Sequence, residues 1–196
     1  MRGRGGALVS SYEHQLTERA LSTNALRVIQ DALWKTYDYF LRKVVPVAEK
    51  AGVRLTLHPD DPPLSPVVGV SRIFGNTANY DRAIAMIESK ANAICFCQAN
   101  FGLMDGPDRV PDLIRHYGER IGFVHFRNMR GTVHNFVETF HDEGHTHMFE
   151  CIRAYREIGF DGPMRPDRAP AMESDPNTRP GYEALGRLYA IGICAV

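Results

Sequence analysis

The chain lacks an excess of either charge. Lysine plus arginine and aspartate plus glutamate number 23 each, so no net field draws it to nucleic acid or to an anionic membrane. It lacks any apolar run near the roughly 18–20 residues that a membrane span needs, and no signal-peptide apolar stretch follows Met1. Cysteine is sparse. Cys95, Cys97, Cys151 and Cys194 form no disulfide framework, and a chain of 196 residues needs none to hold a core. The expectation is a protein of the reducing cytoplasm with neither nucleic-acid nor membrane partners. Low-complexity segments are missing too, as is the glycine-rich phosphate turn that advertises a dinucleotide-binding sheet.

What is there is an apolar fraction of 44%, enough for a packed core, arranged in a recurring phrase. Between residues 24 and 50, Leu26, Ile29, Leu33, Tyr37, Phe40, Val44 and Val47 recur in steps of three and four, the stripe of an amphipathic helix. Gly52 ends it. Val53, Leu55 and Leu57 then alternate as a strand that stops after His58 at Pro59. Helices near 80–89, 107–117 and 144–158 each precede a short apolar run. Those runs end near Cys97, near His125 and at Asp167. A last helix covers about 181–191. Alternating helices and strands predict α/β architecture with a parallel sheet. An open doubly wound sheet and a TIM-type βα barrel both fit, and the barrel places its chemistry at strand C-termini. Residues 1–23 read as an N-terminal extension, poorly ordered in part, and 24–196 as the barrel-type domain.

Four strand ends offer His58, Cys97, His125 and Asp167, separated by 39, 28 and 42 residues, about one βα unit each time. Two imidazoles, a thiolate and a carboxylate suit a divalent transition metal such as zinc, iron(II) or manganese. Cys95 shares a strand face with Cys97, so either could be the ligand; Cys97 lies nearer the end. Asp60 and Asp61 read as turn caps, Cys151 and Cys194 as packing residues, and His116 as a helix-end cation. His141, His145 and His147 read as a loop entering a helix, with a second metal site as the alternative.

The segments "RLTLHPDDPP", "FCQANFG", "VHFRN", "ETFHDEGHT", "GFDGPMRPD" and "PGYEALGRLYAIG" together resemble mannonate dehydratase, from about residue 24 to about 192. The resemblance implies a TIM barrel of the xylose-isomerase-like kind, of which these would be the C-terminal βα units. It implies dehydration of D-mannonate to 2-keto-3-deoxy-D-gluconate in glucuronate catabolism, with Mn2+ or Fe2+. The family's metal ligands fall on His58, Cys97, His125 and Asp167. Arg127 and Asn128 fall where substrate is bound, and His145 is a further substrate contact. Tyr182 resembles a catalytic acid or base.

Two departures stand out. The family pattern places a proton-transferring histidine after the aspartate, where this chain has Arg168, a group that stays protonated. Ala99 stands where the family favours glycine. The matched region also corresponds to the latter half of a longer barrel, which would leave two open sheet edges and suggests a homo-oligomer. The leading expectation is a metal-dependent hydro-lyase. The alternatives are a catalytically inactive homologue acting as a metal-binding or assembly module, and another barrel metalloenzyme such as a sugar isomerase.

Overall fold

The computed structural model describes residues 1–19, 29–175 and 180–194. Near the N-terminus a short strand β1 (Ser11–Glu13) runs into helix α1 (His14–Arg19). Ala7 and Val9 are buried, and Leu8 bridges to Ala171, so this segment packs onto the domain. The boundary expected between residues 23 and 24 lies outside the described residues.

Helix α2 (Gln30–Ala51) buries Trp34, Leu41, Val45 and Ala48 along one stripe. Gly52 closes it in the left-handed conformation (φ 64°), its N–H reaching the carbonyls of Ala48 and Glu49, as a C-terminal glycine should. The first part of the expected helix, residues 24–28, lies outside the described residues. Strand β2 (Leu55–Leu57) begins two residues later than alternation predicted, because the Val53 N–H is used to close the helix on Ala48.

Helix α3 (Thr77–Met86) is capped by Asn76, which accepts from the Asn79 N–H. Strand β3 (Asn92–Cys97) is buried throughout. Helix α4 (Gln98–Asp105) follows at once, where the sequence had suggested no helix. Its second residue is Ala99, whose φ is not positive, so alanine is unstrained there. Helix α5 (Val110–Tyr117) leads to β4 (Ile121–Phe126), and then to a hairpin of β5 (Met129–Thr132) and β6 (Asn135–Glu138). Helix α6 (Met148–Glu157), β7 (Met164–Pro166) and α7 (Ala184–Cys194) complete the order.

The main sheet has the order β2-β3-β4-β7 with every pair parallel, as alternating βα units require. A second, antiparallel sheet has the order β1-β6-β5. Ile94, Phe96 and Val124 point from the main sheet into a core with Tyr80, Phe101 and Tyr117. The Phe96 and Phe101 rings stack at 4.2 Å. The single tryptophan of the chain, Trp34, packs with Ile73 and Ala83, with Leu57 against the same cluster. Its ring lies 3.9 Å from the Arg82 guanidinium carbon. Side chains alternate across a strand, so Cys95 and Cys97 face away from the Phe96 core. Register aligns Cys97 with His125 and His125 with Arg165. The ends of β3, β4 and β7 therefore meet at one level, with the end of β2, Leu57, paired to Ile94 just below it.

Candidate metal centre

That level is where the polar residues gather. The ligand atoms of His58, Cys97 and His125 all lie within 4.8 Å of one another. His58 Nδ1 sits 2.7 Å from the Pro59 carbonyl. A carbonyl only accepts, so Nδ1 carries the proton and Nε2 turns a lone pair toward the cluster. His58 Nε2 and His125 Nδ1 stand 3.1 Å apart. Two nitrogens about 2.0–2.1 Å from one ion would stand at such a spacing. Burial disfavours the charged imidazole and holds His58 below the usual histidine range, against the pull of Pro59 and Asp61. A neutral imidazole is the form that binds a metal. The donor set therefore fits a divalent transition ion.

Cys95 is separated from Cys97 by its environment. Burial first, and the neighbouring Cys97 second, push its thiol up to about 12, which keeps it protonated and inert. Cys97 is the cysteine in the cluster. Cys151 lies fully buried in the α6 core and Cys194 packs beside Phe126 and Met148, both as packing residues.

Asp167 sits at the margin of the trio. One carboxylate oxygen is 3.7 Å from His125 Nδ1 and the other accepts from Arg165 at 2.5 Å. Burial opposes its charge, but His125, Arg127 and Arg165 outweigh that and hold the carboxyl below the usual range.

Arg127 was expected to face substrate, and the structure places it differently. It is 1% exposed. Its Nε and Nη2 donate to the two oxygens of Glu138 at 3.1 and 2.5 Å. Its Nη1 donates to Asp61 at 2.8 Å and to Asn100 at 3.0 Å, and lies 3.8 Å from the Cys97 sulfur. Burial opposes the charge, yet the carboxylates prevail and the guanidinium stays protonated well above its ordinary range. Arg127 is thus a buried cation behind the thiol. Asn128 is likewise spent on the fold. Its amide donates to the His141 and Thr146 carbonyls, and its oxygen accepts from the Met129 and Thr146 N–H groups.

Arg168 and Tyr182 lie together at the rim. The Arg168 guanidinium carbon is 5.2 Å from the Tyr182 ring centroid, and its Nη2 is 3.9 Å from Asp61 Oδ2. Tyr182 is 43% exposed, with Arg187 at 5.6 Å also against its ring. His145 is exposed on the loop before α6, its N–H tied to the Met129 carbonyl. It does not join the three-residue cluster.

Sequence reading missed three members of the pocket. Asp61 seemed a turn cap, but only Asp60 plays that part, accepting from Phe74 N–H at 2.7 Å. Adjacent carboxylates after a strand-ending histidine were the available signal, since two are more than one turn requires. Glu138 and Asn100 were missed because their partner Arg127 lies 11 and 27 residues away, outside their own elements.

Relatives of the chain are found among known proteins. The model of the D-mannonate dehydratase (UxuA) family matches residues 10–195. Mannonate dehydratase 2 of Halalkalibacterium halodurans is 35% identical over 193 residues, covering 94% of this chain and 55% of the relative. Mannonate dehydratase of Oceanobacillus iheyensis is 38% identical over 171 residues, covering 84% and 48%. The crystal structure of mannonate dehydratase from Streptococcus suis serotype 2 superposes with a TM-score of 0.84 at 25% identity, over 98% of this chain and 58% of that one. The chain spans about half the length of the curated relatives it matches. With the family model matched over nearly its whole length, the chain belongs to the D-mannonate dehydratase family.

Proposed function

We propose that this chain carries the metal-binding part of a hydro-lyase that converts D-mannonate to 2-keto-3-deoxy-D-gluconate. The observation that supports this most directly is the His58, Cys97 and His125 cluster at the C-terminal ends of parallel strands. On this reading the parallel sheet is part of a TIM barrel of the xylose-isomerase-like kind. His58, Cys97 and His125 hold the ion, with Asp167 as fourth ligand. Bound Mn2+ or Fe2+ would supply Lewis acidity toward the substrate's carboxylate.

The reaction removes a proton from the carbon bearing the carboxylate and a hydroxide from the next carbon; the resulting enol becomes the 2-keto acid. Tyr182, exposed at the rim, is the acid or base: its phenolic oxygen takes the carbon-bound proton and passes it to the leaving hydroxyl, which departs as water. Arg127 fixes a buried positive charge 3.8 Å from the Cys97 sulfur. Asn128 holds the loop that carries His141 and Thr146. His145 contacts substrate from that loop. Arg168 replaces the histidine that the family pattern uses for proton transfer, and its protonated guanidinium supplies charge rather than basicity. This replacement also favours a second reading, a catalytically inactive metal-binding homologue.

Incubation of the manganese-loaded protein with D-mannonate, assayed for the 2-keto acid, separates the two. Product formation supports the lyase. No product from the protein or from Arg168→His would leave the metal-binding reading in its place. Metal analysis is the independent check on the site: Cys97→Ser and His125→Ala should each lower bound metal by tenfold or more, since even the hydrogen-bond partner of a ligand is worth about 10- to 100-fold. Unchanged metal in both variants would remove the site assignment.

A further inference from the structure

We propose that Arg168 is the anion-binding residue of this pocket, its guanidinium receiving the carboxylate of a sugar acid at the mouth of the metal centre. The proposal takes its ligand class from the lyase reading above, and it concerns binding rather than turnover.

Arg127 is not free for this role. A guanidinium fork that could hold a carboxylate was expected there, but its donors are occupied by Glu138, Asp61 and Asn100, and it is buried. Arg168 is in the opposite condition. Among the described residues it makes no hydrogen bond, and its side chain is 32% exposed. Its ion-pair partner, Asp61 Oδ2, lies 3.9 Å away, too far for a hydrogen bond. That oxygen is already taken by Arg127 at 2.8 Å. Asp61 therefore orients Arg168 without consuming its donors.

Position follows from the same contacts. The Arg127 nitrogen that binds Asp61 also lies 3.8 Å from the Cys97 sulfur. Arg168 is thus linked to the candidate thiol ligand through Asp61 and Arg127, at the edge of the same pocket. Its guanidinium rests over the Tyr182 ring, a cation–π contact that fixes it at little cost to its donors. The planar fork matches a carboxylate in two parallel hydrogen bonds.

The backbone adds an independent sign. Arg168 has φ +54°, a left-handed conformation that costs a residue with a Cβ and persists where surrounding structure imposes it. Glycine would accept it freely. The fold keeps an arginine here against that cost.

The test is calorimetric titration of the manganese-loaded protein with D-mannonate and with neutral D-mannitol, for the unmodified chain and for Arg168→Gln, Arg168→Lys and Arg168→Gly. The unmodified chain should prefer the acid. Arg168→Gln and Arg168→Gly should bind D-mannonate about 10- to 100-fold more weakly, as loss of a charged hydrogen-bond pair implies, with bound manganese unchanged. Arg168→Lys should keep part of the affinity. Arg168→Gly should melt no lower than the unmodified chain, which distinguishes lost recognition from lost structure. Unaltered D-mannonate affinity in Arg168→Gly, or equal affinity of the unmodified chain for acid and polyol, overturns the assignment. Acid-selective binding lost with Arg168 but without turnover would keep this assignment and remove the lyase. Turnover with unaltered Arg168→Gly affinity would do the reverse.

Discussion

Removing Glu138 would strand the Arg127 guanidinium in a site with almost no access to water. Asp61 and Asn100 would still accept from one nitrogen, but the bidentate partner would be gone. Breaking a buried pair at one end typically costs about 3–5 kcal/mol. Glu138→Ala should therefore show a loss of that size in denaturant unfolding, and Glu138→Gln a smaller one. A second prediction at this scale concerns acid. Burial holds both His58 and His141 below the ordinary histidine range. The unfolded chain then binds more protons than the folded one below about pH 6.5, so stability is present above that value and is lost as pH falls through it. The melting temperature of the metal-free protein should drop between about pH 7.5 and 5.5. His141→Phe, which keeps a ring against Phe126, should show a smaller drop. An identical drop in that variant would assign the effect elsewhere.

The elements were legible where one face of a strand or helix is buried and a breaker follows. The ends of β2, β3, β4 and β7 could be read because each apolar run stops, at Pro59, at "CQAN", at "FRN" and at Asp167. The candidate ligands were legible for the same reason, since each sits at such a stop. Helix α4 was not legible, because Gln98, Ala99, Asn100 and Phe101 are all buried and a helix buried on several sides shows no stripe. The β5–β6 hairpin was hidden by strands of four residues, one with three exposed positions, and by a partner, β1, more than a hundred residues upstream. Arg127 was misplaced by the same blindness to distance, as its carboxylates come from that hairpin and from the turn after β2. Element packing also yields a prediction. The backbone of α7 meets the segment after Arg168 so closely that a Cβ on Gly186 would stand 2.0 Å from the Pro170 carbonyl oxygen. Gly186→Ala must push α7 away, at about 1–3 kcal/mol, read as a lower unfolding midpoint. No change would mean that α7 is not docked there.

At the scale of the whole molecule, β2 and β7 each pair on one side only among the described residues. Unpaired strand edges invite further strands, which supports the proposal that copies of the chain associate. Size-exclusion chromatography across a concentration series checks it: elution should shift toward a dimer as concentration rises, and a monomer throughout would refute it. No helix among the described residues is long and apolar enough to cross a membrane. The position of Trp34 has a further consequence. Leu57 touches the cluster around this lone indole and immediately precedes His58. Its emission is therefore an optical gauge of how α2 and α3 close over the sheet edge that feeds the metal pocket. Cobalt(II) bound through the Cys97 thiolate would give a second, absorptive signal from the other face of the sheet. If both signals vanish at one denaturant concentration, helices and pocket melt as a single cooperative unit; if the indole reports first, the edge frays while the ion is still held.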